Sequence, residues 1–175
     1  MEILKKDIKV LYTMEEIQKR IKELGAQITK DYDGKELVVI CILKGAIFYT
    51  VDLVKNIDLD LNLEFMKVSS YEGTESTGVI TIKQDITSDI KGKDVLVVED
   101  IIDTGRTLRV LREELLKRGP SSLKITTFLD KKERREVEME ADYVGYEIPN
   151  KFVVGYGLDV DENFRNLQYI CYIEV

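Results

Sequence analysis

Residues Val95 to Leu108 read Val-Leu-Val-Val-Glu-Asp-Ile-Ile-Asp-Thr-Gly-Arg-Thr-Leu, and this stretch limits the possible folds more than any other. Four consecutive apolar residues are too few for a helix and suit a strand buried on both faces. From Leu108 the spacing becomes Leu108, Leu111, Leu115 and Leu116, which is helical. The unit is therefore strand, acidic and hydroxyl-rich turn, helix, and open α/β sheets hold their ligands at the carboxyl end of such a strand. The turn has two chemical halves. Free N–H groups at the helix start, the hydroxyls of Thr104 and Thr107, and a permissive Gly105 suit a phosphate. Glu99 and Asp100 repel phosphate and suit sugar hydroxyls or a hydrated Mg2+. One turn offering both suggests a ligand that is both sugar and phosphate. Helix capping by Asp100 and Asp103 leaves three carboxylates after a buried strand unexplained.

The residues that are missing narrow the chemistry. The 175-residue chain has no histidine, so a Ser-His-Asp triad, a Cys-His pair and a His metal site are excluded. Acid–base work near neutral pH falls to a carboxylate, Lys, Tyr or Cys, and a catalytic metal would be oxygen-ligated, hence Mg2+ or Mn2+. A net charge of -7 argues against a protein that grips nucleic acid. Cys41 and Cys171 sit in apolar, strand-like contexts and read as core thiols. With no signal peptide and no apolar run near 20 residues, the expectation is a cytoplasmic protein with no membrane partner.

Along the chain, residues 1–12 suggest an edge strand. Thr13 and Glu16 form a capping box ahead of a helical stripe of Ile17, Ile21, Leu24 and Ile28. A turn over Asp31 to Lys35 leads to a second buried strand, 36–43. Lys44-Gly45-Ala46 follows it, then a helix carrying Ile47, Phe48, Val51, Leu53 and Val54. A Lys-Gly turn after a strand can bind an anion, although an ordinary tight turn has the same spacing. Residues 62–70 form a third strand, and the polar run from Tyr71 to Gly78 is either a solvated hairpin loop or a lid. Gly119-Pro120 ends the central helix. Strand 122–129 then runs into the charged segment Asp130 to Arg135, a composition that suits a solvated face. Strand, proline turn, strand and carboxylate fill Tyr143 to Asp159. Residues 161–167 suggest a short helix, and Tyr169 to Glu174 a last strand.

The segment Glu99 to Thr107 resembles the phosphoribosyl-pyrophosphate motif of the type I phosphoribosyltransferases. Leu43-Lys44-Gly45, Lys131 and Tyr143 to Asp159 resemble its hypoxanthine–guanine branch. This resemblance implies an α/β fold with a mostly parallel central sheet flanked by helices, a small hood and a flexible loop. It implies a single domain over 1–175, with a lid at about 70–79 and a hood from the N-terminal segment and about 130–175. The implied activity is transfer of 5-phosphoribosyl to N9 of hypoxanthine or guanine, giving IMP or GMP and pyrophosphate, with Mg2+ as cofactor. The implied roles follow the motifs. Asp103 is the catalytic base at purine N7, and Asp103, Thr104, Gly105, Arg106 and Thr107 cradle the 5′-phosphate. Glu99 and Asp100 hold ribose hydroxyls and metal. Lys44, Gly45 and Arg165 hold pyrophosphate, with a cis bond between Leu43 and Lys44. Ser70 and Tyr71 belong to the lid. Lys131 donates to the purine 6-oxygen, Phe152 stacks, Val153 reads the base edge with its backbone, and Asp159 holds a second Mg2+. A homo-oligomer, dimer or tetramer, is also implied. Two other readings are a nucleotide-sensing RNA-binding regulator on the same fold and a xanthine-preferring transferase. The acidic balance and the set Lys131, Phe152 and Asp159 count against the regulator.

Overall fold

Thr13 starts the first helix as its capping box requires. Its hydroxyl accepts from the Glu16 N–H at 3.3 Å, and the Glu16 carboxylate accepts from the Thr13 N–H at 2.8 Å. The resulting helix, α1 (Met14–Asp31), buries the stripe Ile17, Ile21, Leu24 and Ile28. Thr13→Ala should lower unfolding free energy by about 1 kcal/mol, the usual worth of such a cap, read as a shift in a urea transition. The computed structural model describes residues 8–70 and 80–173; Tyr71 and the rest of the expected lid lie outside them.

The remaining elements are β1 (Ile8–Tyr12), β2 (Leu37–Leu43), α2 (Ile47–Val54), β3 (Leu61–Ser70), β4 (Ile80–Gln84), β5 (Asp94–Ile102), α3 (Arg106–Leu116), β6 (Ser122–Asp130), β7 (Tyr143–Glu147), β8 (Phe152–Val154) and β9 (Ile170–Ile173). Among the described residues, six strands make one sheet in the order β4-β3-β2-β5-β6-β7. Only β4, at one edge, runs antiparallel to its neighbour. Strands β1, β9 and β8 form a separate antiparallel sheet, with β1 at its edge.

Strand β2 is buried on both faces, which is why it reads as an unbroken apolar run. Leu37 and Val39 pack with Leu96 and Val98 of β5 beneath α1 and α2. Val38, Ile40 and Ile42 join Val95 and Val97 on the other face, under Leu108, Leu111 and Leu115 of α3. The chain leaves β2 toward β3 on one side and β5 toward β6 on the other. The gap between the carboxyl ends of β2 and β5 is thus the switch point of the sheet, where such folds bind ligands.

Several expectations are corrected. Strand β5 does not stop at Val98: its ladder with β6 continues through Glu99↔Thr127 to Ile102↔Asp130, so Glu99 and Asp100 lie on the strand itself. Leu116 is exposed, because it stands a hundred degrees around α3 from Leu115. On α2, Ile47, Phe48 and Val51 face outward while Tyr49, Thr50 and Leu53 are buried. Residues 161–167 are not helical: Asp161, Glu162 and Phe164 all have positive φ, which a right-handed helix forbids.

Candidate active site

Four chain segments meet at the switch point. The first is the turn after β2, where the Leu43–Lys44 peptide bond is cis, as the resemblance implies. Its next residue admits no side chain, since a Cβ on Gly45 would lie 1.6 Å from Asp100 Oδ2. The Lys44-Gly45 backbone is therefore pressed against the carboxylate at the end of β5.

The second segment is the end of β5 and the turn after it. Glu99 and Asp100 are neighbours on the strand. The Asp100 N–H donates to Glu99 Oε1 at 3.1 Å, and Asp100 Oδ1 accepts from the Ile101 N–H at 2.7 Å. Burial pushes the pKa of Glu99 far above the ordinary carboxylate range, with the Asp100 charge adding to the effect. Burial also raises Asp100, while hydrogen bonds and the Arg165 charge hold it back. Neither Asp100 nor Asp103 caps α3. Its N-cap is Gly105 at φ +80°, with no side-chain cap. The N–H groups at that end of α3 face a cleft of about 130 Å³ lined by Glu99, Ile101, Ile102, Asp103, Thr104, Gly105, Thr107 and Leu108. The volume is below the ~300–1,000 Å³ of drug-sized ligand sites and suits one phosphate group. Thr104 Oγ1 accepts from the Arg106 N–H at 3.4 Å, closing the turn, and Arg106 itself pairs outward with Glu136.

The third segment is the charged run after β6, which is a solvated face only in part: Lys132, Glu133 and Arg134 are exposed. Asp130 and Lys131 are buried, and Arg135 binds both the Asp130 carboxylate and, at 2.7 Å, the Asp103 carbonyl. The Lys131 ammonium stands 3.9 Å from Asp103 Oδ2, and Arg134 Nε is 2.9 Å from Asp103 Oδ1. Burial lowers the Lys131 pKa, and the Asp103 charge works against that shift.

The fourth segment joins the second sheet to the crevice. The Ile148 N–H donates to the Asp130 carbonyl at 2.9 Å, tying the turn before β8 to the Lys131 strand end. On β8, Phe152 is 49% exposed, its ring open to solvent rather than in the core, while Val153 is buried. Beyond β8, a Cβ on Gly157 would lie 2.0 Å from the Gly45 carbonyl oxygen, so the two loops are in direct backbone contact. Arg165 then gathers the far side. It donates to the Gly157 carbonyl at 2.7 Å and pairs with Asp159 at 2.8 Å and Glu162 at 3.3 Å; Glu162 in turn pairs with Lys44 at 2.9 Å. Contacts thus run from Gly45 to Asp100, from Asp103 to Lys131, from Asp130 to the turn before β8, and from Gly157 back to Gly45, closing one ring around the crevice; Tyr71 lies outside the described residues. Ser70 ends β3 at the same edge of the sheet.

A phosphoribosyl transferase domain model matches residues 7–161. The chain is 58% identical over 170 residues to a hypoxanthine-guanine phosphoribosyltransferase of Streptococcus pneumoniae, across 96% of this chain and 94% of that protein. The chain belongs to the hypoxanthine–guanine phosphoribosyltransferase family. The crystal structure of a Staphylococcus aureus hypoxanthine phosphoribosyltransferase superposes with a TM-score of 0.94 at 53% identity, covering 97% of this chain and 93% of that one. A Bacillus anthracis hypoxanthine-guanine phosphoribosyltransferase superposes at 0.91 with 44% identity, covering 95% of this chain and 98% of that one.

Two features of this phosphoribosyltransferase site escape a reading of residue types. Arg134 and Arg135 look like members of a charge run, yet both hold the Asp103 turn. Glu162 reads as part of a helix and instead bridges Lys44 and Arg165. The acid in the Asp130 to Arg135 run, flanked by a strand and a basic pair, is the one available hint for the first.

Glu99 and Asp100 supply oxygen donors only, as Mg2+ prefers, and a cation there would relieve their mutual repulsion at the strand end. Among the described residues, no three His, Cys, Asp or Glu side chains converge as a metal cage. Substrate oxygens or water would have to complete the shell. The pair also sets a pH dependence. A carboxyl whose pKa is higher folded than unfolded binds its proton more tightly in the native state. Its destabilising effect is therefore absent well below the ordinary value of 4.5 and grows as pH rises through that value toward the folded pKa. In metal-free buffer, Glu99→Gln should raise the melting temperature at about pH 7, and the gain should shrink at about pH 4. An equal gain at both pH values would contradict the assignment.

Proposed function

We propose that this chain transfers 5-phosphoribosyl from phosphoribosyl pyrophosphate to N9 of hypoxanthine or guanine, yielding IMP or GMP and pyrophosphate in purine salvage. The observation that carries the reading is the placement of Lys131. Its ammonium is buried beside Asp103, at the junction of the phosphate turn and the turn leading to Phe152. A buried ammonium donates and cannot accept, so it favours a 6-oxo purine over the 6-amino group of adenine. The open ring of Phe152 offers a stacking face, and Val153 offers backbone groups to the base edge.

The other residues divide the reaction. The leaving pyrophosphate carries its own negative charge, so Lys44, the Gly45 N–H and Arg165 stabilise it without a strong acid. Ribose passes through an oxocarbenium-like state, which the Glu99 and Asp100 carboxylates favour while binding its hydroxyls. Thr104, Gly105, Arg106 and Thr107 hold the 5′-phosphate at the start of α3. Asp103 takes or returns a proton at N7. Glu99 and Asp100 would hold one Mg2+ and Asp159 a second, which would add charge neutralisation of the pyrophosphate.

The 175 residues read as one domain, with the β1-β9-β8 sheet as the hood over the base and about 70–79 as the lid. The outward apolar face of α2, formed by Ile47, Phe48 and Val51, supports a homo-oligomer. No helix among the described residues is long and apolar enough to cross a membrane. Both cysteines are free thiols, which supports a cytoplasmic site of action.

The test is nucleotide formation from phosphoribosyl pyrophosphate and Mg2+ with hypoxanthine, guanine, xanthine and adenine supplied separately. Hypoxanthine and guanine should be consumed and adenine left. Lys131→Met should lower kcat/KM for the oxo-purines by about 10–150-fold, the value of one charged hydrogen bond. Consumption of adenine in place of the oxo-purines would overturn the reading.

A further inference from the structure

Glu162 sits where its backbone conformation argues against it. Val160 and Asn163 exchange backbone hydrogen bonds, of 3.3 Å and 2.9 Å, so Asp161 and Glu162 form the two-residue tip of a tight turn. Both tip residues have positive φ, +50° and +62°, the pattern of a type I′ turn. Such a turn favours Asn-Gly, and a glutamate in the left-handed region is strained. Phe164, at φ +73°, adds a third left-handed residue. The turn is nonetheless pinned: the Glu162 N–H donates to Asp159 Oδ2 at 2.9 Å, and the Asn163 side-chain amide donates to the Asp161 carbonyl at 2.8 Å.

The strain accompanies a particular placement of one carboxylate. Glu162 Oε1 accepts from Lys44 Nζ at 2.9 Å, and Oε2 lies 3.3 Å from both Nε and Nη2 of Arg165. These two contacts join loops 118 positions apart in sequence at one end and three at the other. Lys44 and Arg165 are the two cations read above as the pyrophosphate ligands, and the inference rests on that reading. Asp159 pairs with Arg165 as well, and the Asp100 carboxylate lies within reach of its charge. The Glu162 carboxylate is solvent-exposed, so its ion pairs exchange readily.

We propose that Glu162 is a built-in stand-in for pyrophosphate: it holds Lys44 and Arg165 in position for the diphosphate and is displaced from them when pyrophosphate binds. Entry of phosphoribosyl pyrophosphate is then a carboxylate-for-phosphate exchange, and return of the carboxylate assists pyrophosphate release.

The test is calorimetric titration of the whole protein with pyrophosphate and Mg2+ at fixed ionic strength, alongside KM for each substrate. Glu162→Gln keeps the side chain's size and removes its charge. It should bind pyrophosphate about 3–10-fold more tightly and lower KM for phosphoribosyl pyrophosphate, with KM for hypoxanthine unchanged. Glu162→Gly, which suits the left-handed position, should tighten pyrophosphate similarly and also raise the melting temperature. Asp161→Asn removes a neighbouring charge that makes none of these contacts and should leave pyrophosphate affinity within about twofold. Unchanged or weaker pyrophosphate binding in Glu162→Gln overturns the proposal, as does equal tightening in Asp161→Asn. Arg165→Gln separates the two levels: it should weaken pyrophosphate at least tenfold. If it does and Glu162→Gln does not tighten, only the stand-in role fails. If Arg165→Gln has no effect, the pyrophosphate reading itself fails.

Discussion

Asp103→Asn should lower kcat with hypoxanthine by about 10–10⁴-fold, the usual reach of general acid–base catalysis. Asp103 follows β5 directly and precedes the phosphate turn, so a base on the ribose must pass beside it. Its carboxylate is flanked by Lys131 at 3.9 Å and Arg134 at 2.9 Å, and its carbonyl is held by Arg135. Asparagine keeps the shape and can still accept one of these donors, so the fold should survive. On the proposed reading, what disappears is the proton acceptor at N7. The loss should therefore appear in kcat, with KM for phosphoribosyl pyrophosphate changed little, because the Thr104 to Thr107 turn is untouched. Near-full activity would remove Asp103 from the mechanism.

Gly45→Ala should cost about 10²-fold in kcat/KM for phosphoribosyl pyrophosphate, the scale of a misplacement of roughly an ångström at a reacting centre. The added methyl has nowhere to go. Asp100 Oδ2 lies 1.6 Å from its ideal position, and the Gly45 carbonyl already meets the Gly157 loop. Either Asp100 swings off the ribose side or the Lys44-Gly45 backbone withdraws from the pyrophosphate side. Both routes damage phosphoribosyl pyrophosphate binding before they damage the core, since β2 and α2 are anchored by Val39, Tyr49 and Leu53 well away from the turn. Wild-type kcat/KM in Gly45→Ala would show that the contact is slack. A large fall in melting temperature with kcat unchanged per folded molecule would show that its role is structural only.

How far the sequence reveals this site depends on which forces fix each part. Ile17, Ile21, Leu24 and Ile28, and the unbroken run from Leu37 to Ile42, are set by local periodicity and burial, and they fall where the pattern puts them. The order of strand, glycine turn and helix around Asp103 to Thr107 is legible for the same reason, although β5 runs past its apolar stretch to Ile102 and α3 starts at Arg106 rather than Leu108. The fold class follows from those elements together with the motif resemblance. The two ends of the charge run fold inward, Asp130 and Arg135 satisfying each other beside the Asp103 turn while Lys132, Glu133 and Arg134 stay exposed, and only the acid at its start hints at that partner. Residues 161–167 have a helix-compatible composition, but Asp159 captures the Glu162 N–H and the cations of Lys44 and Arg165 draw its side chain away. The outward face of α2 is invisible to a count of apolar residues, because Ile47, Phe48 and Val51 look like core until the helix is placed on the sheet.

The most direct test of the central claim, that one crevice handles phosphate, ribose, pyrophosphate and oxo-purine together, is simultaneous measurement of IMP and pyrophosphate. Phosphoribosyl pyrophosphate, hypoxanthine and Mg2+ should give one pyrophosphate per IMP, with both products falling together in Asp103→Asn. Release of pyrophosphate without IMP, or no nucleotide from either hypoxanthine or guanine, would contradict the account.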